Sequence, residues 1–235
     1  MGKQSDSRNM TSAAPSLFSA PFYGILDTGY VPADLWEKKF LDLAAGGARL
    51  IQVRAKKESL SQVRRLLERA IAARQTLPEA KRPAIILNDH LEIALQYEGI
   101  GLHVGQDDIP ARDARQELGP DRILGLSTHS PDQAQKAMDL GPNVLDYFAV
   151  GPVFATQTKP DYHPVGLRLV EWVAAQNPKL PFYCIGGINR QNAHLVSAAG
   201  ARSVVTVSDV LLAESTSDAV RETIAALNPS QTSAR

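Results

Sequence analysis

The stretch ARLIQVRAKKESLSQVRRLLERAIAARQTLPEAKRPAIILND, residues 48–89, decides the fold. It opens on one apolar run, ARLIQVR (48–54), and nearly closes on another, AIIL (84–87). Between them, SLSQVRRLLERAIAARQ places apolar residues at helical spacing, with Ser59 positioned to cap the first turn. Strand, helix and strand in succession form a crossover unit, and a crossover lays its two strands parallel.

The same alternation extends in both directions. Further strand candidates are FYGIL (22–26), IGLHV (100–104), RILGL (122–126), LDYFAV (145–150), FYCIG (182–186) and SVVTV (203–207). A helical pattern can follow each. PADLWEKKFLDLAAGG (32–47) opens on Pro32 and stops on Gly46 and Gly47. HSPDQAQKAMDLG (129–141) offers Ser130 as cap, Pro131 at the first helical position and Gly141 as stop. INRQNAHLVSAAG (188–200) ends on Gly200, and TSDAVRETIAALN (216–228) supplies the last helix. Eight such units predict an α/β fold, a (β/α)8 TIM barrel in a single domain. The open doubly wound sheet is the alternative, but its G-x-G-x-x-G turn is absent. The barrel is expected over residues 21–227. Composition marks 1–20 as a disordered N-terminal tail and 228–235 as a C-terminal tail.

Composition narrows the function. Lys plus Arg equals Asp plus Glu at 25 each, which argues against nucleic acid or an anionic membrane held by bulk charge. No apolar run approaches the ~18 residues of a membrane span. The N-terminus lacks the apolar core of a signal peptide, and its MGKQSDS start matches a myristoylation pattern only weakly. The single cysteine, Cys184, cannot form an internal disulfide, which suits a cytoplasmic protein. Small molecules are the expected partners, with a homo-oligomer left open.

In a barrel the chemistry sits where the strands end. After the second strand, Gln52, Arg54 and Lys56 alternate onto one face, an amide and two cations suited to an anion. After the third and fourth come Asn88-Asp89 and Gly105-Gln106-Asp107-Asp108. Each aspartate alone reads as a helix cap. Together they can share one Mg²⁺, which takes one or two carboxylates plus phosphate and water. After the fifth comes Ser127-Thr128-His129. After the sixth comes GPVFATQTKPDYHPVG (151–166), a long loop with Thr156, Thr158 and Lys159 as anion donors. After the seventh and eighth come Gly186-Gly187 followed by a helix, and Val207-Ser208, where backbone amides can approach a phosphate. Two anion sites result, one cationic and metal-assisted, the other built from backbone amides. His103 and His194 read as packing or surface residues. His90 and His163 lack metal-ligand spacing, and His129 is the one histidine placed for function. Cys184, Trp36 and Trp172 read as core.

The set QVRAK, ND, HVGQDD, GLSTHS, GPVFATQTK, IGGI and VS, in this order, resembles the thiamine phosphate synthase family. The resemblance covers residues ~22 to ~225 and the motifs fall at matching strand ends. It implies a transferase that joins hydroxymethylpyrimidine diphosphate to a thiazole phosphate, with Mg²⁺, giving thiamine phosphate and diphosphate. It implies that Gln52, Arg54, Lys56 and Asn88 bind the pyrimidine diphosphate. Asp89 and Asp108 would hold the metal, which selects Asp108 over Asp107. Ser127 and Lys159 would contact the diphosphate or pyrimidine, and with Arg54 they form the expected catalytic set. Thr156, Thr158, Gly187, Val207 and Ser208 would hold the thiazole phosphate. Ala55 and Ala155 depart from the family pattern, which usually has Glu and often Pro at those places. Rival readings are a thiazole tautomerase-like isomerase, a phosphosugar isomerase or epimerase on the same barrel, and a non-catalytic phosphate-ligand sensor.

Overall fold

The strands are short, apolar and inward-alternating, so each can bury both faces only by closing on its neighbours. The computed structural model describes residues 17–156 and 163–227. Its strands are β1 (Phe22–Asp27), β2 (Leu50–Arg54), β3 (Ala84–Asn88), β4 (Gly101–Val104), β5 (Leu124–Thr128), β6 (Tyr147–Val150), β7 (Phe182–Ile185) and β8 (Val204–Thr206). They form a closed barrel in chain order, every pair parallel, with β8 returning to β1. Register sets Asp27 beside Arg54, Asn88 beside His103, and Ser127 beside Ala149.

The helices outside are α1 (Trp36–Gly46), α2 (Leu60–Gln75), α3 (Leu91–Ala94), α4 (Ala111–Leu118), α5 (Pro131–Leu140), α6 (Gly166–Ala175), α7 (Ala193–Ala198), α8 (Ser208–Leu211) and α9 (Thr216–Leu227). Ser59 caps α2 in a reciprocal capping box with Gln62, and Ser130 caps α5 with Pro131 at its first position. Burying Phe40 and Leu43 of α1 against the barrel stabilises the fold by about 1.5–3 kcal/mol each.

Three expectations are corrected. The sequence pattern predicts one helix per strand, but the short α8 intervenes between β8 and α9. The helix after β7 starts at Ala193 rather than beside Gly187, because Asn189 and Asn192 exchange side-chain and backbone hydrogen bonds and hold 189–192 as a turn. Residues 17–20 do not belong to a tail. Leu17–Ser19 form a 3-10 turn, Phe18 packs with its ring centroid 6.0 Å from that of Tyr147, and Ser203 Oγ donates to the Ala20 carbonyl. Leu17 and Phe18 are apolar residues in an otherwise polar segment, and together they close the N-terminal end of the barrel. The remaining tail assignments, 1–16 and 228–235, lie outside the described residues, as do Thr158 and Lys159. Among the described residues, no helix is long and apolar enough to cross a membrane.

Candidate active site

Inward-pointing side chains fill the lower barrel and leave a cavity of about 730 Å³ at the C-terminal ends of the strands. The filling is aromatic. Tyr23, Tyr147 and Tyr183 pack edge to face, with centroids 5.3–5.5 Å apart. Gly125 makes this possible: a Cβ there would stand 2.1 Å from the Tyr147 ring.

Above that floor the cavity is lined by Gln52, Arg54, Asn88 and Ser127 on one side and by Thr156, Gly187, Val207 and Ser208 on the other. Eight of the residues expected at the site therefore meet around one space. Gln52, Asn88 and Ser127 are buried, so each is held in place by its strand. Arg54 donates from Nη1 to Asp27 Oδ2 at 2.5 Å, and Asp27 Oδ1 also accepts from the Gly29 N–H at 2.8 Å.

Lys56, Asp89 and Asp108 do not line the cavity but cluster beside it, at the ends of β2, β3 and β4. Lys56 Nζ lies 2.9 Å from Asp89 Oδ2. Asp108 Oδ2 accepts from the Gly105 N–H at 2.6 Å, closing a turn. Neither aspartate is a helix cap: α3 begins after His90 and α4 after Pro110, with no side-chain cap at either. Asp107, one residue earlier, points to solvent. Burial raises the Asp89 pKa above the usual carboxylate value; Lys56 opposes this, while the charge of and hydrogen bond to Asp108 add to it. Two carboxylates in contact repel as anions, and a hard cation between them relieves the repulsion. The pair therefore fits Mg²⁺, with the remaining ligands left to phosphate and water. Among the described residues no cluster of three or more His, Cys, Asp or Glu is arranged to hold a metal.

The glycines after β7 have a packing role as well. A Cβ on Gly186 would lie 2.3 Å from Pro152, and one on Gly187 would lie 2.4 Å from the Ala155 carbonyl. They let the loop after β6 lie against β7, where Val153 and Phe154 donate to the Ile185 and Gly186 carbonyls. Thr156 is carried to the cavity rim by this packing.

Several residues were missed in the sequence. His103 is neither a surface nor a simple packing residue: it lines the cavity and bonds Tyr147 and Ser127. Tyr23, Asp27, Arg190 and Asp209 also line it. Alternation along β1 puts Tyr23 and Asp27 on one face, and His103 lies one residue before the end of β4, so the pattern of alternation carries the signal for all three. His129 sits at the rim, its Nδ1–H donating to the Gly151 carbonyl at 2.5 Å. Ala55 is buried. Cys184 is buried, and its thiol pKa is raised by desolvation.

A family model described as Thiamine monophosphate synthase matches residues 22–210. A Thiamine-phosphate synthase of Pelotomaculum thermopropionicum is 38% identical over 87% of this chain and 91% of its own length. One from Lawsonia intracellularis is 40% identical over 75% of this chain and 76% of its own. Among solved structures, a thiamine phosphate pyrophosphorylase from Pyrococcus furiosus superposes with a TM-score of 0.77 at 25% identity, covering 91% of this chain and 98% of its own. The family match spans all eight strands and their C-terminal ends, so the chain belongs to the thiamine monophosphate synthase family.

Proposed function

We propose that the protein is a thiamine phosphate synthase, condensing hydroxymethylpyrimidine diphosphate with hydroxyethylthiazole phosphate or its carboxylated form. One observation carries the reading. A single cavity has an arginine side with a carboxylate pair beside it, and a second side of hydroxyls, backbone and the Arg190–Asp209 ion pair. A diphosphate and a monophosphate substrate need two such sides. The tautomerase-like and sensor readings find no support in the relatives, which carry the synthase name.

Gln52 and Asn88 orient the pyrimidine, Arg54 and Lys56 take the diphosphate, and Lys159 is assigned to the same group by the family resemblance. Ser127 donates to the same substrate. Thr156, Thr158, Gly187, Val207 and Ser208 hold the thiazole phosphate. Asp89 and Asp108 would hold Mg²⁺, which supplies charge neutralisation for the leaving diphosphate. The bond from the exocyclic methylene carbon to the diphosphate oxygen breaks, and its electron pair leaves with the diphosphate. The ring then carries the positive charge, and the thiazole nitrogen donates its lone pair to the same carbon. With hydroxyethylthiazole phosphate no proton moves in this step; the carboxylated form would also release CO2 and take up one proton in its place. Arg54, Lys56 and Lys159 stabilise the charge that develops on the leaving group. The buried tyrosines close the cavity floor; water reaching the cation would trap it as an alcohol. A cytoplasmic location fits such phosphorylated substrates.

The test is direct. Purified protein with both substrates and Mg²⁺ is expected to yield thiamine phosphate and diphosphate in equal amounts, read by chromatography and mass spectrometry. Binding of either substrate without turnover would overturn the reading.

A further inference from the structure

Five side chains form one hydrogen-bonded chain beneath the cavity. Gln52 Nε2 donates to Tyr23 OH at 2.9 Å, and Tyr23 OH meets Tyr147 OH at 2.8 Å. Tyr147 OH meets His103 Nδ1 at 2.9 Å, and His103 Nε2 meets Ser127 Oγ at 2.9 Å. The two ends, Gln52 and Ser127, both line the cavity and come from β2 and β5.

The protons on this chain can be counted. Each phenol carries one proton, and burial raises both phenol pKa values, so neither ionises near neutral pH. Tyr23 OH accepts from Gln52, so its own proton goes to Tyr147. Tyr147 then gives its proton to His103 Nδ1, which must be the bare nitrogen. The imidazole proton therefore sits on Nε2 and is donated to Ser127 Oγ. With its oxygen accepting from below, Ser127 turns its own proton toward the cavity. The reverse order fails locally. If Ser127 donated to His103, Tyr23 OH would receive from both Gln52 and Tyr147, and its proton would be stranded at a residue only 1% exposed.

We infer that Tyr147 and His103 are positioning residues, which fix Ser127 as a hydrogen-bond donor to the bound substrate through a one-way chain that starts at Gln52. The inference rests on the proposed function only in naming that substrate as the pyrimidine diphosphate. The chain explains why three polar side chains, Tyr23, Tyr147 and His103, are kept in the barrel interior, where apolar side chains would pack without this constraint. It also explains why the barrel interior holds Gly125, whose absent side chain admits the Tyr147 ring.

The tautomer is measured on the ligand-free protein, so the result does not depend on which reaction the enzyme performs. With 15N-labelled histidine, His103 is assigned by the signals lost in His103→Gln, and long-range 1H–15N correlations report which nitrogen is protonated. The expected state is neutral imidazole with the proton on Nε2. A proton on Nδ1, or an imidazolium, would overturn the proposal. Kinetics provide the second readout. Tyr147→Phe is expected to lower kcat/KM about tenfold, the size of one neutral hydrogen bond, and to lower it no further in a Ser127→Ala background. Additive losses would mean that Tyr147 acts elsewhere and would also overturn it. Failure of wild-type turnover with an Nε2 proton would count against the proposed reaction and leave the chain's direction standing.

Discussion

Arg54 is held by Asp27: the two side chains meet at 2.5 Å, and the aspartate is only 3% exposed. The guanidinium has five N–H donors, and Asp27 takes one of them. Arg54 lines the cavity from this tethered position. A free arginine would lose rotamer entropy on binding an anion, whereas this one has lost it on folding.

Asp27→Asn therefore tests orientation apart from charge. The amide can still accept from Gly29 but loses the charge that anchors Arg54. Turnover is expected to fall about tenfold, and thermal stability by about 1–2 kcal/mol. Arg54→Ala is expected to cost more turnover and, by leaving the buried Asp27 charge without its cation, more stability as well. Steady-state kinetics and thermal unfolding on both variants check this. Unchanged turnover in Asp27→Asn would show that Arg54 needs no anchor.

The carboxylate pair gives a second prediction. Asp89 has φ of +66°, a left-handed conformation that asparagine tolerates and alanine does not. Asn is thus the fair substitution there. Asp89→Asn and Asp108→Asn should each lower turnover about 100-fold or more while circular dichroism stays native. Full activity in EDTA would remove the metal from the mechanism.

How far these features could be read in the sequence depended on their range. The barrel was legible because period-two strands and capped helices are local signals, and Ser59 and Ser130 cap as their spacing implies. The strand-end residues were legible because alternation puts Gln52 and Arg54 on one face. Contacts across the barrel were not. His103 looked like packing because its partners, Tyr147 and Ser127, lie 44 and 24 residues away. The Asn189–Asn192 turn looked like a helix because its side-chain bonds compete with the helical pattern without breaking its periodicity. The role of Asp27 is not legible in the sequence because it depends on register with Arg54 in the next strand.

The third prediction separates the two sides of the cavity. Lys56 is paired with Asp89, whereas Ser208 lies across the opening at the start of α8. Lys56→Ala should raise KM for the pyrimidine diphosphate more than for the thiazole phosphate, and Ser208→Ala should do the reverse. Each effect is expected to be roughly 3- to 30-fold, as for one charge-assisted hydrogen bond. Equal effects on both substrates in both variants would show that the sides are not distinct.

The last prediction concerns Gly187, where packing and site geometry compete for one position. Its φ is +62°, and a Cβ would lie 2.4 Å from the Ala155 carbonyl and 2.7 Å from Phe154. Backbone atoms cannot swing aside as a flexible side chain can, so Gly187→Ala must push the loop after β6 outward. That loop is tied to β7 by Val153 and Phe154 and to its own return by Val165 and Gly166, which donate to Pro152 and Val153. The strain therefore spreads through four backbone hydrogen bonds. The cost is expected to be about 2–4 kcal/mol, seen as a melting temperature lower by about 5–10 °C. If Gly187 were needed only so that its own N–H could approach a phosphate, stability would stay unchanged and only the thiazole phosphate KM would rise. Gly187→Ala should instead lower stability and, by moving Thr156, raise that KM as well. Thermal unfolding of the ligand-free variant decides between the two, because no phosphate is present to be lost.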